Sequence, residues 1–88
     1  DDAATRAREI ASYFSHTRLD GSQWYTVSSL AHGENIIMGT GMDADRAMTD
    51  WMNSQGHRDN ILDGSYGSLG VGCCQSGREI YWVQLFGY

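Results

Sequence analysis

Apolar residues recur at helical spacing from the start of the chain. Ala3, Ala7, Ile10, Ala11 and Phe14 share one side of a helix predicted over 3–15, and Arg6, Arg8 and Glu9 are assigned to its other face. Asp20-Gly21-Ser22 then reads as a turn. Residues 23–31 fit either a short strand or an extended loop. Gly33-Glu34-Asn35-Ile36 reads as the opening of a short helical turn that ends at Gly39.

A second amphipathic helix is sharply marked. Asp43 is a natural N-cap, and Ala44, Ala47, Met48, Trp51 and Met52 follow at i, i+3, i+4, i+7 and i+8, giving a helix over 43–54. Gly56 interrupts it, and residues 57–62 form a further helical turn. The period then changes. Leu69, Val71 and Cys73 alternate with Gly70, Gly72 and Cys74, and after a Gln75-Ser76-Gly77 turn the run Ile80–Phe86 reads as a strand. These two segments make a hairpin. Apolar residues on both faces of its second strand call for cover on both sides. The pattern therefore predicts an α+β fold with helices flanking a small, mainly antiparallel sheet.

Composition narrows the class of protein. With 88 residues there is room for one domain spanning 1–88 and no second core. The formal charge is −5, and the six basic residues, all Arg, form no cluster, which argues against nucleic acid as a partner. No apolar run approaches the roughly 20 residues of a membrane span. The opening Asp1-Asp2 lacks the basic start and apolar stretch of a secretory leader. Cys73 and Cys74 are adjacent, a spacing that suits neither a metal knuckle nor a redox motif, and they are expected to be two unbonded core thiols. Core packing is the expected use of Trp24, Tyr25, Trp51, Tyr66, Tyr81, Trp82 and Tyr88, with a ligand groove as the alternative.

Three side chains carry the candidate chemistry. His16 follows the first helix, Glu34 follows a glycine, and His57 follows Gly56, each at an element end or in a loop. Two imidazoles and a carboxylate can bind a divalent ion and leave a position open, or act as acid and base. The spacing matches no local metal motif. Each residue also has a plain structural use: His16 in hydrogen bonding to the backbone that leaves the first helix, His57 as a capping or packing group, and Glu34 as a favourable charge at a helix start. His32 has no evident partner and is assigned to the surface.

Five blocks then follow in order: Phe14-Ser15-His16-Thr17-Arg18-Leu19-Asp20-Gly21, Gly33-Glu34-Asn35-Ile36, residues 51–62 around Gly56-His57-Arg58, Leu69-Gly70-Val71-Gly72, and residues 81–87. In this the chain resembles the CAP superfamily (cysteine-rich secretory proteins, antigen 5 and pathogenesis-related 1), and within it the short, cysteine-poor bacterial SCP-type domains. The resemblance implies an α-β-α sandwich and a cleft with two histidines and two acids. It assigns His16, Glu34 and His57 to that cleft. The second acid of the animal and plant branches falls on Ser54, which reduces the tetrad to a trio. Leu19 and Gln55 stand where the bacterial pattern commonly has proline.

The resemblance also implies a helix ahead of the one predicted here, so the chain reads as the later three quarters or so of a family domain. A missing helix leaves apolar surface bare, and a homodimer covering that face is expected. By resemblance the protein is secreted, and it is expected to be a non-catalytic module that binds a ligand or protein partner. His16, Glu34 and His57 would take zinc or another divalent cation. A metal-dependent, protease-like hydrolase is the first alternative, weakened by the loss of the second acid. Lipid or sterol binding is another.

Overall fold

The computed structural model describes residues 2–88. Helix α1 covers Asp2–Ser12, and a 3-10 turn at Trp24–Val27 sits in the loop that follows. Strand β1 is Gly33–Thr40, helices α2 and α3 are Ala44–Met52 and Gln55–Leu62, and strands β2 and β3 are Ser68–Ser76 and Glu79–Gly87. The three strands form one antiparallel sheet in the order β1-β3-β2. Helix α1 packs on one face of the sheet, against β2 and β3, and α2 and α3 lie together on the other side. This is an α+β fold with an α-β-α layering, as the sequence pattern predicts.

Strand alternation distributes the core between the two layers. On one face Val83 of β3 lies between Ile36 of β1 and Gly72 of β2, and Ile36, Val83 and Leu85 pack under Ala3, Ala7 and Ile10 of α1. On the other, Ile37, Ile80 and Trp82 receive Met42, Ala47 and Trp51, with Ile61 of α3 beside them. Asp43 caps α2 as predicted, its carboxylate accepting from the Arg46 amide at 2.8 Å. Helix α2 ends at Met52, and the chain turns at Asn53 and Ser54, so Gly56 lies inside α3 and does not interrupt α2.

Several expectations are corrected. The segment from Gly33 to Gly39 is strand, not a helical turn, because Glu34 and Asn35 are buried on opposite faces of the sheet and find partners there. Arg6 lies in the apolar stripe of α1, not on its outer face, and is fully buried. The hairpin loop is Gly77-Arg78, with Gln75 and Ser76 still in the ladder. Gly77 has φ of +63° and no non-glycine residue has positive φ, the pattern of a type II′ turn. Both cysteines are unbonded, but only Cys74 packs against the core, while Cys73 is exposed. Of the aromatics, Trp51 is buried and its indole N–H donates to the Ile36 carbonyl, whereas Tyr25 and Tyr88 are exposed. His32 stacks against Tyr88, with ring centres 4.3 Å apart.

Helix α1 can sit close to β2 only because the strand carries glycine beneath it. A Cβ at Gly72 would run into the Ala3 carbonyl, and one at Gly70 would touch the Ala3 methyl at 3.6 Å. Gly72→Ala is therefore expected to destabilise the fold by about 1–3 kcal/mol or more through overpacking. Gly64→Ala, whose Cβ meets nothing within 4 Å, serves as the control. Thermal unfolding followed by circular dichroism compares the two. Equal melting temperatures would mean that α1 does not rest on β2 at this point.

Candidate functional site

The site is built outward from one ion pair. Arg6 and Glu34, with side chains at 0% exposure, meet in a two-point contact: Nε donates to Oε2 at 2.7 Å and Nη2 to Oε1 at 3.0 Å. The same guanidinium donates to Glu9 at 2.8 Å and to the Ser15 carbonyl at 2.9 Å. Glu9 in turn is gripped by Arg18 at 2.7 Å. Burial opposes the charge on Arg6, but Glu34 and Glu9 outweigh it and hold the guanidinium above its ordinary value. The Arg18 hydrogen bond, helped by Arg6, keeps the Glu9 carboxyl below its ordinary value against the opposing effect of burial.

His16 leans on this assembly from outside. Its Nδ1 lies 2.9 Å from Glu34 Oε1, and its side chain is 52% exposed. Since Glu34 is held as an acceptor by Arg6, the imidazole supplies the proton of this bond, which leaves Nε2 without a hydrogen-bond partner among the described residues. The His16 ring is thereby fixed by a carboxylate that solvent cannot reach.

His57 arrives from the opposite layer. It lies in the first turn of α3, where its Nδ1 is 2.9 Å from the hydroxyl of Ser54, the residue just ahead of the helix. Its backbone is pinned by a buried amide cluster. The Asn35 side-chain N–H donates to the His57 carbonyl at 3.0 Å and to Gln84 at 3.1 Å, and Asn60 donates to Asn35 Oδ1 at 3.0 Å. Burial, and secondarily the charge on His16, push the His57 imidazole below its usual value of 6.5. The two rings are thus within electrostatic reach of each other, although they belong to different layers. The strand that carries both Glu34 and Asn35 is β1, an edge of the sheet.

The expected trio is only partly assembled. His16 and Glu34 are in contact, Ser54 and His57 are in contact, and the two pairs are electrostatically coupled. Among the described residues, however, no three His, Cys, Asp or Glu side chains are grouped so as to hold a metal ion. Glu34 does not fit the role of ligand, because Arg6 and His16 already engage both of its oxygens. Three hollows of about 280, 300 and 310 Å³ elsewhere on the molecule are lined by none of His16, Glu34, Ser54 or His57. Sequence reasoning missed Arg6, Asn35 and Asn60. The signal for Arg6 was present: it stands three residues from Ala3 and four from Ile10, inside the apolar stripe.

Two imidazoles from opposite layers are each held through Nδ1 by their own polar partner, in a three-layer sandwich of the kind found in SCP-type domains. The whole-chain comparison agrees, and the chain belongs to the cysteine-rich secretory protein family, whose model matches residues 1–86. It is 35% identical over 80 residues to the uncharacterized protein YkwD of Bacillus subtilis strain 168, covering 84% of this chain and 30% of that protein. The fold matches an extracellular SCP-domain protein of Bacillus anthracis str. Ames at a TM-score of 0.76 and 23% identity, over 99% of this chain and 30% of that one. It also matches an outer surface protein of Borrelia burgdorferi at a TM-score of 0.73 and 19% identity, over 98% of this chain and 69% of that one. The chain thus spans about a third of the length of the two Bacillus proteins.

The ion pair and the half-buried His57 imidazole each give an expected outcome. Arg6→Met strands the Glu34 carboxylate in the interior and is expected to cost about 3–5 kcal/mol in urea unfolding. The double variant Arg6→Met, Glu34→Leu should recover most of that loss, whereas simple additivity would mean the two groups are not coupled.

For His57 the folded value lies below the unfolded one, so the unfolded chain binds more protons in between. Stability should therefore fall as pH drops below 6.5, the usual histidine value. For Glu9 the folded value is also depressed, so its contribution is complete above 4.5 and is lost at more acid pH. Urea midpoints measured across this range should decline in two stages. His57→Gln should remove the upper stage alone.

Proposed function

We propose that this chain is a secreted, non-catalytic binding domain whose contact site is the His16–His57 pair. The observation that carries this reading is the state of Glu34. A hydrolytic site needs a carboxylate free to take a proton from water or to hold a metal, and the Glu34 carboxylate is shut off from solvent and engaged at both oxygens by Arg6 and His16. What remains for a ligand is a pair of Nε2 atoms on rings preoriented by Glu34 and Ser54. Secretion is supported by the family and by the fold neighbours described as extracellular and outer-surface proteins. No described helix is long and apolar enough to cross a membrane.

The cation reading takes a reduced form. His16 and His57 would be the protein donors to a zinc ion, with a ligand or water completing the coordination. For this His57 Nδ1–H donates to Ser54, so that Nε2 is the free lone pair. Glu34 and Ser54 act by holding the rings and not by touching the metal. Two donors give weak capture, so the partner's own donor groups decide the affinity.

Calorimetry with zinc chloride on the folded protein tests this. A single weak site is expected, and it should disappear in either His16→Ala or His57→Ala. Binding that survives in both variants would remove the imidazole pair from the site. Chelator-sensitive cleavage of a peptide library, abolished in His57→Ala, would replace the binding module with a hydrolase.

A further inference from the structure

The two edges of the sheet are finished differently. In the β1–β3 register the Gly41 amide donates to the Arg78 carbonyl at 2.9 Å, which makes the odd residues of β1 and the even residues of β3 the hydrogen-bonded pairs. The even residues of β1 therefore turn their backbone groups outward. Side chains cover three of those carbonyls: Asn60 donates to Glu34 at 3.5 Å, Trp51 to Ile36 at 3.3 Å and Arg46 to Thr40 at 3.1 Å. The Tyr66 hydroxyl covers the His32 carbonyl just ahead of the strand. Three of the four outward carbonyls of this edge are thus capped.

The β2 edge is open. The same alternation leaves the odd residues of β3 bonded to the even residues of β2, so Leu69, Val71, Cys73 and Gln75 present their N–H and C=O groups outward. Among the described residues no side chain bonds to these groups. The strand runs nine residues in unbroken register, with no charged residue and no proline. Those are the devices by which proteins usually guard an edge, and β2 has none of them. The side chains of the same odd positions are also bare, with Leu69 at 53% and Val71 at 51% exposure and Cys73 exposed.

We propose that β2 is a self-association edge. Two copies of the chain pair β2 to β2, antiparallel, about a two-fold axis at Gly72, the midpoint of Ser68–Ser76. The result is a continuous six-stranded sheet. Val71 of each copy lies opposite Cys73 of the other, and Leu69 lies opposite Gln75, so every outward backbone group from 69 to 75 acquires a partner.

A second copy suits this edge for three reasons. The outward residues are placed symmetrically about Gly72, so the strand is its own complement under a two-fold. The strand is uncharged, so the net charge of −5 places no like charges across the seam. The seam is also long enough. Nine residues extend about 30 Å, and with the smallest extent of the molecule, 20 Å, as the depth of the face this gives at most roughly 600 Å² per copy, the low end of a specific interface. The dimer is therefore expected to be reversible.

Sedimentation velocity from low-micromolar to near-millimolar protein, under reducing conditions, measures the mass, and amide exchange by NMR locates the seam. The expected result is a mass that doubles with concentration. With it, exchange should slow at Leu69, Val71, Cys73 and Gln75 and change little at Gly70 and Gly72, which are bonded already in the monomer. Val71→Lys should remain monomeric with an unchanged melting temperature, while Val71→Thr and Cys73→Ser should still dimerise. A mass that stays monomeric throughout, or a dimer whose 69–75 amides exchange as in the monomer, overturns the proposal. None of these readouts depends on the imidazole pair.

Discussion

The Arg6–Glu34 pair is the constraint on which the rest of this molecule is arranged. It joins α1 to β1 through the interior, and each group is inaccessible to water. Removing two charges from water is costly, and their mutual attraction offsets that cost only when geometry is good and every remaining donor finds an acceptor. Here it does. The guanidinium also reaches Glu9 and the carbonyl of Ser15, which ties the chain leaving α1 to the same point. A pair of this kind adds little net stability but strongly penalises any other packing of α1. It also sets where the residue after Ser15, His16, can stand.

Strand β1 turns that local constraint into a site shared by two layers. Consecutive residues of a strand face opposite sides, so Glu34 serves the α1 layer and Asn35 serves the α2–α3 layer. Glu34 holds the His16 ring, and Asn35, together with Asn60, holds the backbone of His57. Two adjacent polar residues, both buried, thus position two histidines that are 41 residues apart in the chain. Since β1 is an edge strand, the layers can meet around it. Most outward carbonyls of the same edge are capped by donors from α2, α3 and the residue Tyr66 beyond them. Its opposite number, β2, is left bare. A sheet with one finished and one unfinished edge has a direction in which it can grow.

Membership of the cysteine-rich secretory protein family places these features in a fold shared with an extracellular protein and an outer surface protein at sequence identities below one quarter. What persists at that distance is the layering. The chemistry of this chain has to be taken from its own residues. Serine stands at position 54, and the Glu34 carboxylate beside His16 is held by arginine.

Much of the architecture was legible before the fold was known. Asp43 followed by an apolar stripe ending at Trp51 and Met52 marked α2, and the alternation from Leu69 followed by the run to Phe86 marked the hairpin. In these segments a single local period decides burial. Two segments misled for the same reason. Glu34 and Asn35 are polar and deeply buried, which hid the strand from any count of apolar residues, and Arg6 was assigned to solvent because an arginine is rarely sealed inside. Each of the three is buried because of a partner at least 22 residues away. Sequence alone determined α2 and the β2–β3 hairpin with their apolar faces, because in those segments burial follows from neighbours a few positions distant. Only the tertiary structure decided that Arg6 and His16 would engage both oxygens of Glu34, that Ser54 would hold His57, and that no side chain would reach the β2 edge, because each depends on groups that folding alone brings together.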